Sequence, residues 1–148
     1  MVNVTIDGVR VSVEENTTIM DAAAAVGVRI PRLCYLKDIN EIAACRVCLV
    51  EVDGHERLLT SCNNAVAEGM VIHTNSAKVR RQRKLLYELM LSNHSKDCLS
   101  CARNQNCELQ ALGERLGVSE CRLEGERTPR MVDCSPSITR DTSKCILC

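Results

Sequence analysis

The chain contains neither phenylalanine nor tryptophan and only two tyrosines in 148 residues. The large aromatic rings that usually dominate core energetics are therefore missing. An apolar fraction of 45% looks ordinary for a globular chain, but eleven cysteines are counted within it. Small domains with thin cores need staples, and bound inorganic groups can act as such. Net charge is absent too, with 19 Lys and Arg against 19 Asp and Glu. That balance exerts no overall pull on nucleic acid or on an anionic membrane. Long hydrophobic runs are missing: Ala22 to Val28, the longest uncharged and mostly apolar stretch, is far too short to cross a bilayer. The start, Met1 to Asp7, alternates polar and apolar residues and lacks the charged and apolar regions of a signal peptide. A soluble, cytoplasmic protein is expected.

What the chain has is cysteine. Eleven thiols without an export signal argue against a disulfide framework, and an odd number does not pair off. Ligation of a metal or cluster is the better reading. The organising stretch runs from Cys34 to Cys62, with the spacing C-x10-C-x2-C-x13-C. Cys34, Cys45, Cys48 and Cys62 supply four thiolates, the number that holds a 2Fe–2S cluster. One CxxC pair between two outlying cysteines is the topology of plant-type 2Fe–2S domains, although those have four residues in the first gap. Ala43 and Ala44 are small enough to let backbone N–H groups approach the sulfurs. A second set, His94-x3-Cys98-x2-Cys101-x5-Cys107, supplies one imidazole and three thiolates within fourteen residues. Spacing alone leaves structural zinc and iron–sulfur both open at this set.

Patterning predicts a β-hairpin over residues 2–14, turning at Asp7-Gly8. A helix from Ile19 to Val26 follows, with Thr18 as N-cap and Gly27 as its stop. Residues 28–48 show no lasting periodicity, and a loop that long calls for a function such as wrapping a cluster. Strands are expected at Leu49–Val52, Arg57–Thr60 and Val71–Thr74, giving a mixed α+β domain of about 75 residues. Ser76 should cap a long helix from Ala77 to Leu91, with Val79, Leu86, Leu89 and Met90 on its buried side and Leu85 at the margin. Its first half carries Lys78, Arg80, Arg81, Arg83 and Lys84, which oppose the helix dipole. A solvated face is the expected reading of those charges; the alternative is a docking patch for an acidic partner or shielding of an anionic cluster. A short helix is expected over Glu108–Leu116, ended by Gly117, and the remainder should be irregular.

Several runs resemble the N-terminal region of iron-only (FeFe) hydrogenases, above all the large subunits of the multimeric, NAD(P)-linked, electron-bifurcating kind. They are Cys34-Tyr35-Leu36-Lys37-Asp38-Ile39-Asn40-Glu41, Ala44-Cys45-Arg46-Val47-Cys48-Leu49-Val50-Glu51-Val52, Leu91-Ser92-Asn93-His94, Asp97-Cys98-Leu99-Ser100-Cys101, Asn104-Gln105-Asn106-Cys107-Glu108-Leu109-Gln110 and Lys144-Cys145-Ile146-Leu147-Cys148. A related module heads the large electron-transfer subunit of respiratory complex I and some NAD-linked formate dehydrogenases. The likeness covers nearly the whole chain and includes the long first gap.

The resemblance implies a β-grasp 2Fe–2S ferredoxin-like domain over residues 1–76, with Cys34, Cys45, Cys48 and Cys62 as ligands. It implies a small helical segment over 77–117 in which His94, Cys98, Cys101 and Cys107 bind a 4Fe–4S cluster. Residues 118–148 become a linker and the start of a 4Fe–4S ferredoxin domain, in which Cys145 and Cys148 are the first two ligands of an incomplete third site. Two thiolates cannot complete a four-ligand cluster. The chain is therefore expected to be a fragment of a longer protein or a subunit completed by a partner, the fragment being favoured. The implied partners are flavin- and NAD(P)H-oxidising subunits, small 2Fe–2S subunits and a hydrogenase catalytic domain; neither nucleic acid nor membrane is implied.

Other residues read more blandly. Cys121 and Cys134 fall outside both sets and read as free thiols. His73 should be structural and His55 exposed. Tyr35 either packs over the first cluster or covers loop backbone, and Arg46 either offsets cluster charge or faces solvent. No acid–base pair, nucleophile constellation or phosphate-cradling glycine loop stands out. Electron relay, not transformation of a substrate, is the expected role.

Overall fold

A computed structural model describes residues 1–126 and 129–146. The chain divides into two compact units, Met1–Arg83 and Lys84–Cys148. The first unit opens with the expected hairpin, β1 (Val2–Ile6) and β2 (Val9–Val13), paired from Val2 with Val13 to Ile6 with Val9. Asp7 (φ 47°) and Gly8 (φ 85°) both take the left-handed conformation that a two-residue hairpin turn demands. Helix α1 (Ile19–Ala25) follows, and the Thr18 side chain accepts the Asp21 N–H at 3.1 Å, satisfying one of the free N–H groups at its start. Its slim alanine-rich face buries Ile19, Met20, Ala22 and Ala23.

Strands β3 (Leu49–Val52), β4 (Leu59–Thr60) and β5 (Val71–His73) complete a five-stranded sheet in the order β2-β1-β5-β3-β4. The strand expected over Arg57–Thr60 is only Leu59–Thr60, because Arg57 and Leu58 belong to the loop before it. Strand β5, last of the five in the chain, lies at the centre of the sheet. It runs parallel to β1 and antiparallel to β3, which makes the sheet mixed. Thr74, just beyond it, donates its N–H to Asp7 Oδ1 at 2.8 Å and its hydroxyl to Oδ2 at 2.5 Å, tying the central strand to the hairpin turn.

The core is built from β-branched aliphatics in place of rings: Val4, Ile6, Ile19, Val50, Val52 and Ile72 are all buried. Cys48 and Cys62 belong to the same cluster of side chains, so the sulfur chemistry grows directly out of the core.

Helix α2 (Ala77–Asn93) runs two residues beyond the expected end. Ser76 Oγ accepts the Val79 N–H at 3.2 Å. Its buried residues are Val79, Arg83, Tyr87, Glu88 and Ser92, whereas Leu89 is 49% and Leu85 40% exposed. The apolar stripe expected through Leu89 is therefore displaced, because a buried arginine and glutamate satisfied by hydrogen bonds are invisible to hydropathy. Lys78, Arg80, Arg81 and Lys84 face solvent as expected.

In the second unit α3 (Glu108–Leu116) takes the expected bounds and ends on Gly117 at φ 62°. Gly113 is required there: a Cβ at this position would stand 2.8 Å from Tyr87 Cζ. Beyond α3 the chain is not wholly irregular, for β6 (Val132–Cys134) and β7 (Thr139–Asp141) form a small hairpin. Among the described residues no helix is long and apolar enough to cross a membrane.

Candidate metal centres

In the first unit the irregular segment 28–48 carries three cysteines to the edge of the core. Positive φ at Ala43 (54°) and Arg46 (54°) turns its backbone so that successive N–H groups face inward, the kind of concavity that receives anions. Cys45 and Cys48 precede β3, and Cys62 follows β4; Ser61 N–H to Cys48 O at 3.1 Å holds the two segments together.

The four thiols are buried, at 5%, 4%, 1% and 0% exposure for Cys34, Cys45, Cys48 and Cys62. They meet as two pairs. Cys34 N–H donates to Cys45 Sγ, and Cys45 N–H to Cys34 Sγ, each at 3.5 Å. Cys48 Sγ lies 3.4 Å from Cys62 Sγ.

Burial pushes the Cys34 thiol up, and its bond with Cys45 adds to this, while the Cys45 and Ala44 N–H groups pull the other way. Burial acts on Cys45 as well, but N–H groups of Cys34, Val47 and Leu33 and the Cys34 side chain outweigh it and hold the thiol below its ordinary value. Cys62 is pushed up to about 12 by burial, by its contact with Cys48 and by the charges of Cys48, Cys34 and Cys45. Four such thiolates together need a cationic centre between them, and two sulfur pairs match a two-iron cluster that takes two protein sulfurs on each iron.

The remaining nearby residues settle simply. Tyr35 is buried in the core with the Arg32 guanidinium 5.1 Å from its ring centre. Arg46 is exposed, as is His55. His73 is half exposed and its Nε2 pairs with Asp53 Oδ1 at 3.0 Å.

In the second unit His94, Cys98, Cys101 and Cys107 line one cavity of about 520 Å³. Cys101 N–H closes a turn on Cys98 O at 3.1 Å. Gln110 braces the next stretch, accepting the Gln105 N–H and donating to Asn104 Oδ1, both at 3.0 Å. Cys107 stands at the N-cap of α3. His94 Nδ1 is buried with no hydrogen-bond partner among the described residues, an orphaned acceptor or donor of the kind a metal centre would satisfy. Burial lowers the His94 pKa, favouring the neutral ring that ligates, while a backbone hydrogen bond with Cys145 acts the other way.

Among the described residues no three His, Cys, Asp or Glu side chains close on a single ion. Cys121, set aside by spacing, lies on the wall of the same cavity, its Sγ donating to Glu88 O and Leu123 O at 3.2 Å each. Cys134 is exposed on β6. Cys145 is half-buried in the second unit, and Cys148 lies outside the described residues.

Residues 1–77 match the 2Fe-2S iron-sulfur cluster binding domain. The chain belongs to that family. Within this family assignment, residues 83–122 match a second description, the NADH-ubiquinone oxidoreductase-G iron-sulfur binding region. The chain thus carries a 2Fe–2S binding domain followed by a 4Fe–4S binding region. It is 47% identical, over all its length, to the NADP-reducing hydrogenase subunit HndD of Solidesulfovibrio fructosivorans, of which it spans 26%. It is 42% identical to the NADPH-Fe(3+) oxidoreductase subunit alpha of Geobacter sulfurreducens, spanning 18% of that protein. It is 36% identical to the mitochondrial NADH-ubiquinone oxidoreductase 78 kDa subunit of Candida albicans, spanning 21%. The crystal structure of an NAD+-reducing NiFe hydrogenase in the H2-reduced state superposes on 99% of the chain with a TM-score of 0.90 at 28% identity; the match covers 62% of that hydrogenase chain.

The residue that reading the sequence missed is Arg83. Charge patterning sets it on the solvated basic face, with docking or shielding of an anionic cluster as the alternative, yet it is 4% exposed. Its Nε donates to Val47 O at 2.9 Å and its Nη2 to Leu49 O at 2.6 Å, on either side of Cys48. Its four-residue spacing from the fully buried Val79 is the one signal that marks it.

Proposed function

We propose that the chain is the iron–sulfur electron-relay module of an NAD(P)-linked FeFe hydrogenase. In this reading Cys34, Cys45, Cys48 and Cys62 hold the 2Fe–2S cluster, and His94, Cys98, Cys101 and Cys107 hold the 4Fe–4S cluster. Residues 1–76 and 77–117 form the two cluster domains, and 118–148 leads into a further ferredoxin domain opened by Cys145 and Cys148. The observation that carries it is the meeting of four buried thiols as two sulfur pairs inside a 2Fe–2S binding domain.

When bound, the clusters supply reversible one-electron chemistry. The chain's residues do the rest. Thiolates, joined by the His94 imidazole at the second site, fix the centres, backbone N–H groups aimed at sulfur stabilise the negative charge of the first, and the aliphatic core keeps water from it. No bond-making step is assigned to this module. The proposed partners are a flavin- or NAD(P)H-oxidising subunit on one side and a hydrogenase catalytic domain on the other, in the cytoplasm. The 47% identity to a hydrogenase subunit favours this parent over a complex I-like relay, since the 78 kDa subunit stands at 36%.

Anaerobic purification with iron, sulfide and zinc analysis and EPR of the reduced chain tests the reading. Two cluster signals are expected. Zinc without iron at both sites overturns it in favour of a zinc-held scaffold.

A further inference from the structure

We infer that Arg83 positions the Cys48 segment of the 2Fe–2S site and, through its charge, raises the reduction potential of the cluster held there. The inference rests on the ligand reading just given.

The geometry comes first. Helix α2 carries Arg83 one turn beyond the fully buried Val79, and both are buried within the first unit. Nε takes Val47 O at 2.9 Å and Nη2 takes Leu49 O at 2.6 Å. The intervening Cys48 O accepts the Ser61 N–H at 3.1 Å, so three successive carbonyls are committed. In a trans peptide the N–H lies opposite the C=O, so holding Val47 O also sets the direction of the Cys48 N–H. Val47 is gripped at its other end too, because its N–H supports the Cys45 sulfur. Arg83 thus braces the short run that joins both members of the CxxC pair.

Only arginine can do this with one side chain. Its planar fork reaches two carbonyls at once, whereas a lysine ammonium is a compact point donor. Its charge is permanent, and at 4% exposure it acts through a medium of low dielectric. A positive charge beside the site favours the reduced cluster, which carries one more negative charge than the oxidised form. Burying a guanidinium is unfavourable unless it is well bonded, and here the charge-assisted bonds to carbonyls flank the very residue proposed to ligate.

The test is an EPR-monitored redox titration of the full chain, reconstituted anaerobically, as wild type, Arg83→Gln and Arg83→Lys. Arg83→Gln should favour the reduced state at least tenfold less, a fall of about 59 mV for one electron. Arg83→Lys should keep its midpoint near wild type, with a changed 2Fe–2S line shape because one carbonyl is released. The Arg83→Gln shift should persist at high salt, since a buried charge is little screened. An unchanged Arg83→Gln midpoint overturns the inference, and so does an Arg83→Lys midpoint as low as that of Arg83→Gln. Should Arg83→Gln fail to load, Arg83→Lys decides: a wild-type midpoint supports the inference and a lowered one overturns it. A wild-type chain with no 2Fe–2S signal overturns the ligand reading itself, a result distinct from any failure at Arg83.

Discussion

Cys34 and Cys45 hold one another reciprocally, each donating its backbone N–H to the other's sulfur at 3.5 Å. Ten residues separate them, and that interval carries the left-handed turn at Ala43 that lets the loop double back. The long gap therefore does not loosen the pair. Burial and the sulfur contact act on Cys34 in one direction and the N–H groups on Cys45 in the other, so two identical side chains occupy different electrostatic settings.

Replacing one member of this pair should empty the first site alone. Cys34→Ala is expected to abolish the 2Fe–2S signal while the 4Fe–4S signal survives. EPR of the reduced variant with iron and sulfide analysis checks this; loss of both signals together would show that the sites do not assemble independently.

His94 should set the potential of the second cluster. A neutral imidazole in place of a thiolate leaves a cluster less negative, so reduction is easier. His94→Cys is expected to lower the midpoint. Redox titration of the intact 4Fe–4S cluster measures the shift, and an unmoved midpoint would refute the role.

Gly113 should resist any side chain. A Cβ there would press on the Tyr87 ring, with Cζ at 2.8 Å. Gly113→Ala is expected to cost the second unit about 1–3 kcal/mol, the usual penalty of overpacking. Because the hydroxyl oxygen is the nearest atom, adding Tyr87→Phe should return part of that loss in urea denaturation. A double variant no more stable than the single one would point elsewhere.

Acid should weaken the second unit through Glu88. Its buried carboxylate accepts from Arg122 Nε at 2.8 Å and Nη2 at 2.7 Å, and those bonds hold its pKa below the ordinary carboxylate value. A depressed folded pKa gives stability that is present above the unfolded value of about 4.3 and lost as pH falls through the folded one. The urea midpoint of wild type should exceed that of Glu88→Gln near neutrality, and the difference should shrink in acid. A constant difference would show that the loss is one of packing.

Much of the local structure was legible because it depends on neighbours in the chain. Asp7-Gly8, the Thr18 cap and the Gly117 stop each act over three or four residues, and all three stand where the pattern placed them. The hairpin of β6 and β7 was not legible, since its strands are only three residues long and largely exposed. The stripe on α2 misled for another reason: hydropathy counts Arg83 and Glu88 as solvent-seeking, and both are buried by bonds to partners 34 to 36 residues away.

The sequence by itself determined the inventory of candidate ligands, its spacing and the secondary elements around it, because thiol chemistry and short-range backbone preferences are written residue by residue. Only the tertiary structure decided that β5 lies between β1 and β3, that the four first-site thiols pair as Cys34 with Cys45 and Cys48 with Cys62, and that Cys121 shares the second cavity. It alone drew Arg83 out of a charged face and set it against Cys48. The physical reason is common to all of these. Each is a contact across a long stretch of chain, selected by packing and by the need to satisfy buried polar groups, and no local pattern encodes which distant partner will do so.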